Sequence, residues 1–147
     1  MVTLKLYGRP KVNAQDGRDV TPRSAKAIAL LSLLATSKDH SRARRWCETM
    51  LWPEHTPEKA SGSLRQVLHI LRKSMGEHHI EANRSFIRLL DIKLDDSAKQ
   101  SAHEFLEGID VDEPEFNDWL SAERGRAQKM ANLENAGATA PQAPQIN

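Results

Sequence analysis

At 147 residues, with a net charge of +1 and one cysteine, the chain has room for a single core, alone or with an appendage, and needs no metal or disulfide to close it. Cys47 by itself excludes an intramolecular disulfide and any cysteine-rich zinc or iron–sulfur site built by this chain, which suits a reducing compartment. No apolar run reaches the length of a membrane span, and "MVTLKLYGRP" lacks the layout of a signal peptide, so the expectation is a soluble cytoplasmic protein with no membrane partner.

Along the chain, "TLKLYG" alternates, placing Leu4 and Leu6 on one face of a strand that Gly8 and Pro10 break. "PKVNAQDGRDVTP" predicts a short hairpin turning at Asp16-Gly17. Thr21-Pro22 is a helix start signal, and the following helix carries Ala27, Leu30, Leu31 and Leu34 at core spacing. Ser41 is the expected cap of a second helix, "RARRWCETML", in which Ala43, Cys47, Met50 and Leu51 recur at helical steps and Trp52-Pro53 ends the pattern.

Thr56-Pro57 repeats the start signal. The third helix, 57–75, has the strongest periodicity: Ala60, Leu64, Val67, Leu68, Leu71 and Met75 form one stripe, and Gly76 is its expected terminator. Next, "HHIEANRSFIRLLDI" predicts a hairpin over 79–90 with "ANRS" at the turn and Arg84 at its tip. Two appended helices follow, one from the Ser97 cap to Gly108 and one anchored by Phe116, Trp119 and Leu120. The Ala-, Pro- and Gln-rich end is expected to be disordered. The expected division is a domain over 1–92, a helical region over 93–136 and a tail over 137–147.

A search for catalytic chemistry returns little. The chain lacks a Gly-rich phosphate loop, GxSxG, HExxH and paired cysteines, so no enzyme, cofactor or metal is expected. His78-His79 followed by Glu81 reads as exposed histidines at the mouth of a hairpin, not as metal ligands. Asp110, Asp112, Glu113 and Glu115 lack calcium-loop spacing and suit a helix N-terminus instead. His69 has no acidic residue spaced to orient it as a base, and Cys47 lies on an apolar stripe.

The charge is divided. Residues 1–90 carry sixteen Lys and Arg against eight Asp and Glu, a net +8, while residues 91–147 carry five against twelve, a net −7. A basic front suits a polyanion. Three helices, the third amphipathic and basic, followed by a hairpin with an Arg at its tip, make the order of a winged helix-turn-helix. The expected fold is therefore α+β: a small N-terminal antiparallel sheet, three helices, a C-terminal hairpin wing and the two appended helices. Such a helix fits the major groove of double-stranded DNA, with the wing reaching the adjacent minor groove or phosphates. Its polar face offers Arg65, His69 and Arg72 first.

The chain resembles the N-terminal DNA-binding region of the Streptomyces antibiotic regulatory protein family, whose winged helix is of the OmpR/PhoB type. The matching stretches are "LYGRPKV", "AIALLSLLA", "LWPEHTPEKASGSLRQVLHILRKSMG" and "FLEGIDVDEPEFNDWLSAERGR", over about residues 3–130. The last resembles the opening of a bacterial transcriptional activation domain. The resemblance implies sequence-specific DNA binding and transcription regulation, with Ser61, Ser63, Arg65, Gln66, His69, Arg72 and Lys73 facing the groove or phosphates, and Arg84 on the wing. It also implies binding to direct repeats as tandem copies, and contact with RNA polymerase through "LWPEHTPE". The chain departs from the family in its wing, which lacks the usual Gly-Tyr pair, in ending before the long helical repeat domain, and in having no receiver domain. The competing reading is a protein-interaction module on a winged-helix fold, docking on a longer regulator.

Overall fold

The computed structural model describes residues 1–95 and 103–139. Alternation sets the first strand, β1 (Val2–Lys5): Val2 and Leu4 are buried, Leu6 continues the same face, and Lys5 is exposed. It pairs antiparallel with β2 (Lys11–Asn13), and Asp16-Gly17 turns the chain as expected, with Gly17 at φ 91° where glycine is favoured. Helix α1 (Ala25–Ala35) begins later than Thr21-Pro22 predicts. The Thr21 hydroxyl is engaged elsewhere, accepting from the Val12 N–H (2.9 Å) and donating to Asp19 Oδ1 (2.6 Å). Ser24 caps the helix instead, its Oγ accepting from the Ala27 N–H. Every residue from Ala27 to Ala35 is buried, so α1 is the central rod of the core.

Ser41 does not cap the second helix. Residues Ser41–Ala43 form β3, and α2 (Arg44–Leu51) follows directly. The sequence periodicity ran through Ala43, but that residue is exposed; β3 satisfies its backbone against β5 (Phe86–Leu89), with Arg42 opposite Ile87. Helix α3 (Pro57–Met75) matches its expected span, and all six residues of its predicted stripe are buried. β4 (Ile80–Ala82) and β5 make the expected hairpin, to which β3 adds, giving the sheet order β3-β5-β4.

The N-terminal sheet is mixed, not purely antiparallel. After the wing the chain returns as β6 (Ile92–Leu94), parallel to β1, so the order is β2-β1-β6. Of the two appended helices, the structure shows one, α4 (Pro114–Thr139). Residues 103–108, expected to end a helix, instead run beside the first sheet. Phe105 bridges Tyr7, Leu106 donates its N–H to the Leu6 carbonyl (2.7 Å), and both Phe105 and Leu106 are buried. The start of that expected helix and the tail beyond 139 lie outside the described residues. Helix α4 packs on α2 through a face including buried Phe116 and Leu120. Arg124 ties it to the 105–106 segment, donating to the Phe105 and Leu106 carbonyls at 2.8 and 3.0 Å. Among the described residues no helix is long and apolar enough to cross a membrane.

Candidate nucleic-acid interface

Helix α3 is built to bury one side and present the other. The Thr56 Oγ1 accepts from the Lys59 N–H and Pro57 opens the first turn, so the start is fixed locally. At about 100° per residue, Gly62, Gln66, His69 and Lys73 fall opposite the buried stripe. Gln66, His69 and Lys73 are exposed there, as is Arg65 on the flank; Ser61, Ser63 and Arg72 are half-buried. Lys59, Gly62, Ser63, Arg65, Gln66 and His69 line one open groove along the helix. No carboxylate lies within salt-bridge distance of Arg65, Arg72 or Lys73 among the described residues, so their charges are available. Among the described residues, the acidic C-terminal part does not roof this face: Arg65, Gln66, His69 and Lys73 stay exposed while α4 seats on α2.

Two residues of consequence were missed by pattern reading. Gly62 stands at the centre of the open face, inside a helix, where a Cβ would meet nothing within 4 Å. Packing therefore does not demand a glycine, although glycine costs a helix interior roughly 0.5–1 kcal/mol relative to alanine. The signal was visible as a lone glycine within a strongly periodic stretch. Lys26 is the second. Its Nζ donates to the Leu51 carbonyl at 2.6 Å, lies 3.1 Å from Glu113 Oε2 and sits 4.9 Å above the Trp52 ring. It thereby clamps the end of α2 and the turn into α3. A single charge within an otherwise apolar helix was the available cue.

The wing is held at its turn by Asn83, whose Oδ1 accepts from the Ser85 and Phe86 N–H groups at 2.7 and 2.9 Å. Arg44, at the start of α2, donates to the Asn83 carbonyl, and its backbone N–H donates to the Ser85 carbonyl. Arg84 projects from the tip, exposed. By contrast, Arg88 is committed to Glu81 (3.4 Å) and to the Phe86 ring. Trp52 is buried at the turn, as expected. Cys47 is buried too, and that burial pushes its thiol up to about 12, which leaves it protonated and inert at neutral pH.

Helix, turn, amphipathic helix and braced hairpin define a winged helix-turn-helix protein. Among solved structures, EmbR of Mycobacterium tuberculosis, determined in complex with a low affinity phosphopeptide, matches with a TM-score of 0.60 at 16% identity. The match covers 99% of this chain and 49% of EmbR, so this chain spans about half the length of that protein, and at this identity the likeness is one of fold. The chain matches no protein-family model and no curated protein.

Proposed function

We propose that this protein binds double-stranded DNA sequence-specifically and regulates transcription, as the resemblance to the Streptomyces antibiotic regulatory proteins implies. Helix α3 enters the major groove and the Arg84 wing reaches the neighbouring minor groove or phosphates. The observation that carries the reading is the division of α3 into a fully buried apolar stripe and an exposed polar side whose cations have no acidic partner among the described residues. A helix about 10–12 Å across fits a groove about 12 Å wide. Arg65, Gln66 and His69 read base edges, with Ser61 and Ser63 beside them, and Arg72 and Lys73 hold phosphates. Tandem copies on direct repeats and contact between the 51–58 turn and RNA polymerase complete the proposal.

Selection from a random duplex library tests it. Enriched duplexes should lose about 10² in affinity between 50 and 200 mM salt, as expected if Lys59, Arg72, Lys73 and Arg84 neutralise phosphates. Failure to enrich any sequence sinks the reading. The second reading, a protein-interaction module, is favoured by the phosphopeptide in the EmbR structure. It gains if no duplex binds while a phosphopeptide does.

Gly62 belongs to the same proposal, because a bare Cα lets the helix backbone approach the DNA closely. Gly62→Ala is expected to stabilise the fold by about 0.5–1 kcal/mol, following helix propensity, while weakening duplex binding. Urea denaturation and a binding titration on the same sample check both signs. Unchanged binding removes the glycine from the interface.

A further inference from the structure

The geometry points to a site for a single divalent transition-metal ion, of the zinc class, at the root of the wing, formed by His78, His79 and Asp91. Sequence proximity offered Glu81 as the carboxylate beside the two histidines, but the fold spends Glu81 on Arg88 across the hairpin. Strand pairing supplies a different one. Ile80 lies opposite Leu89, and the Leu90 N–H donates to the His79 carbonyl at 2.8 Å, so the two ends of the hairpin meet and Asp91 arrives beside the histidines. The ligand atoms of His78, His79 and Asp91 all lie within 4.8 Å of one another. In a tetrahedral shell with metal–nitrogen distances near 2.0–2.1 Å, ligand pairs stand about 3.3 Å apart. Small side-chain rotations therefore close the site.

The buried His79 is prepared for this role. Its Nδ1 lies 3.0 Å from the Leu90 carbonyl oxygen. That oxygen only accepts, so Nδ1 carries the proton and the Nε2 lone pair is free. Orientation of one ring nitrogen by a carbonyl is the arrangement that metal-bound histidines use. Gly76, at φ 104°, makes the turn that folds the histidine pair back, with both rings 3.5 Å from the position of its absent Cβ. His78 and Asp91 are exposed, so an ion can enter. Asp91 already pairs with the N-terminal ammonium at 3.4 Å, but both groups are about half exposed, and such a pair yields readily to a dication. Two imidazoles and one carboxylate, with a position left for water, suit Zn2+ better than the oxygen-seeking Ca2+ or Mg2+. A bound ion would pin both ends of the wing hairpin to the turn after α3.

The test is calorimetric titration of the tag-free full chain with Zn2+, independent of any DNA. One ion per chain is expected. His78→Ala and Asp91→Asn should each weaken binding at least tenfold, while His55→Ala, a histidine away from the cluster, should not. Asn tolerates the left-handed backbone found at Asp91 (φ 52°), so the second variant removes charge without removing the turn. His79 is left intact because its burial makes loss of folding a competing outcome. Imidazole NMR signals of His78 and His79 should both move on titration. No binding at millimolar Zn2+, or binding that His78→Ala and Asp91→Asn leave intact, overturns the site.

Discussion

Arg65→Ala is expected to weaken binding of the selected duplex about 5- to 150-fold, the range set by loss of one bidentate contact to guanine worth ~1–3 kcal/mol. Arg65 is exposed on α3, beside Gln66 and one turn from His69, with no carboxylate among the described residues to hold it back. The salt dependence separates two ways in which it could act. If Arg65 reads a base, the variant loses discrimination at one or two positions and keeps its salt slope. If it holds a phosphate, the slope falls by about 0.9 and all sequences weaken alike. The first outcome is expected, because Arg65 lies toward the N-terminal half of the helix, the end that docks against base edges in this class of motif. Lys73→Ala should give the second. Fluorescence anisotropy at several salt concentrations, on cognate and scrambled duplexes, checks both. Wild-type affinity in Arg65→Ala would remove α3 from the groove.

The features legible in the sequence were those determined by local chemistry. Thr56-Pro57, the six-residue stripe and Gly76 fix α3 without help from elsewhere, and the structure has the same span. Asp16-Gly17 and Asn83 likewise fix their turns through their own backbone preferences. What failed depended on distant partners. Ser41 reads as a helix cap until β5 offers it a strand to pair with. Thr21 reads as a cap until Val12 and Asp19 engage its hydroxyl. Residues 103–108 have helical composition, yet Tyr7 and Leu6 draw them into a single bridge followed by a turn beside the first sheet. β6 could not be foreseen as a parallel partner of β1, since nothing near Ile92 records the N-terminus. The same limit applied to the candidate sites: the polar face of α3 was readable by period, whereas Lys26 acquires its meaning only from Leu51, Trp52 and Glu113.

Lys26→Met is expected to destabilise the protein by about 2–3 kcal/mol, through loss of a hydrogen bond from a charged donor and of a partly buried ion pair. Methionine keeps most of the stem, so packing along α1 survives and the loss reports on the ammonium. The two polar partners are not equivalent. Leu51 lies in the last turn of α2, where carbonyls lack an intrahelical donor, and the 2.6 Å contact satisfies one of them. Glu113 lies at 3.1 Å on the C-terminal side and retains some solvent. Glu113→Gln should therefore cost only about 1 kcal/mol, because a neutral amide can still accept from Nζ. Urea denaturation of the two single variants and the double variant closes the cycle. A Glu113→Gln cost equal to that of Lys26→Met would transfer the role from the α2 terminus to the ion pair. Under the capping account, Lys26→Met also weakens duplex binding although Lys26 touches no DNA, because the freed α2 terminus no longer fixes the turn that aims α3; under the ion-pair account, Glu113→Gln does the same.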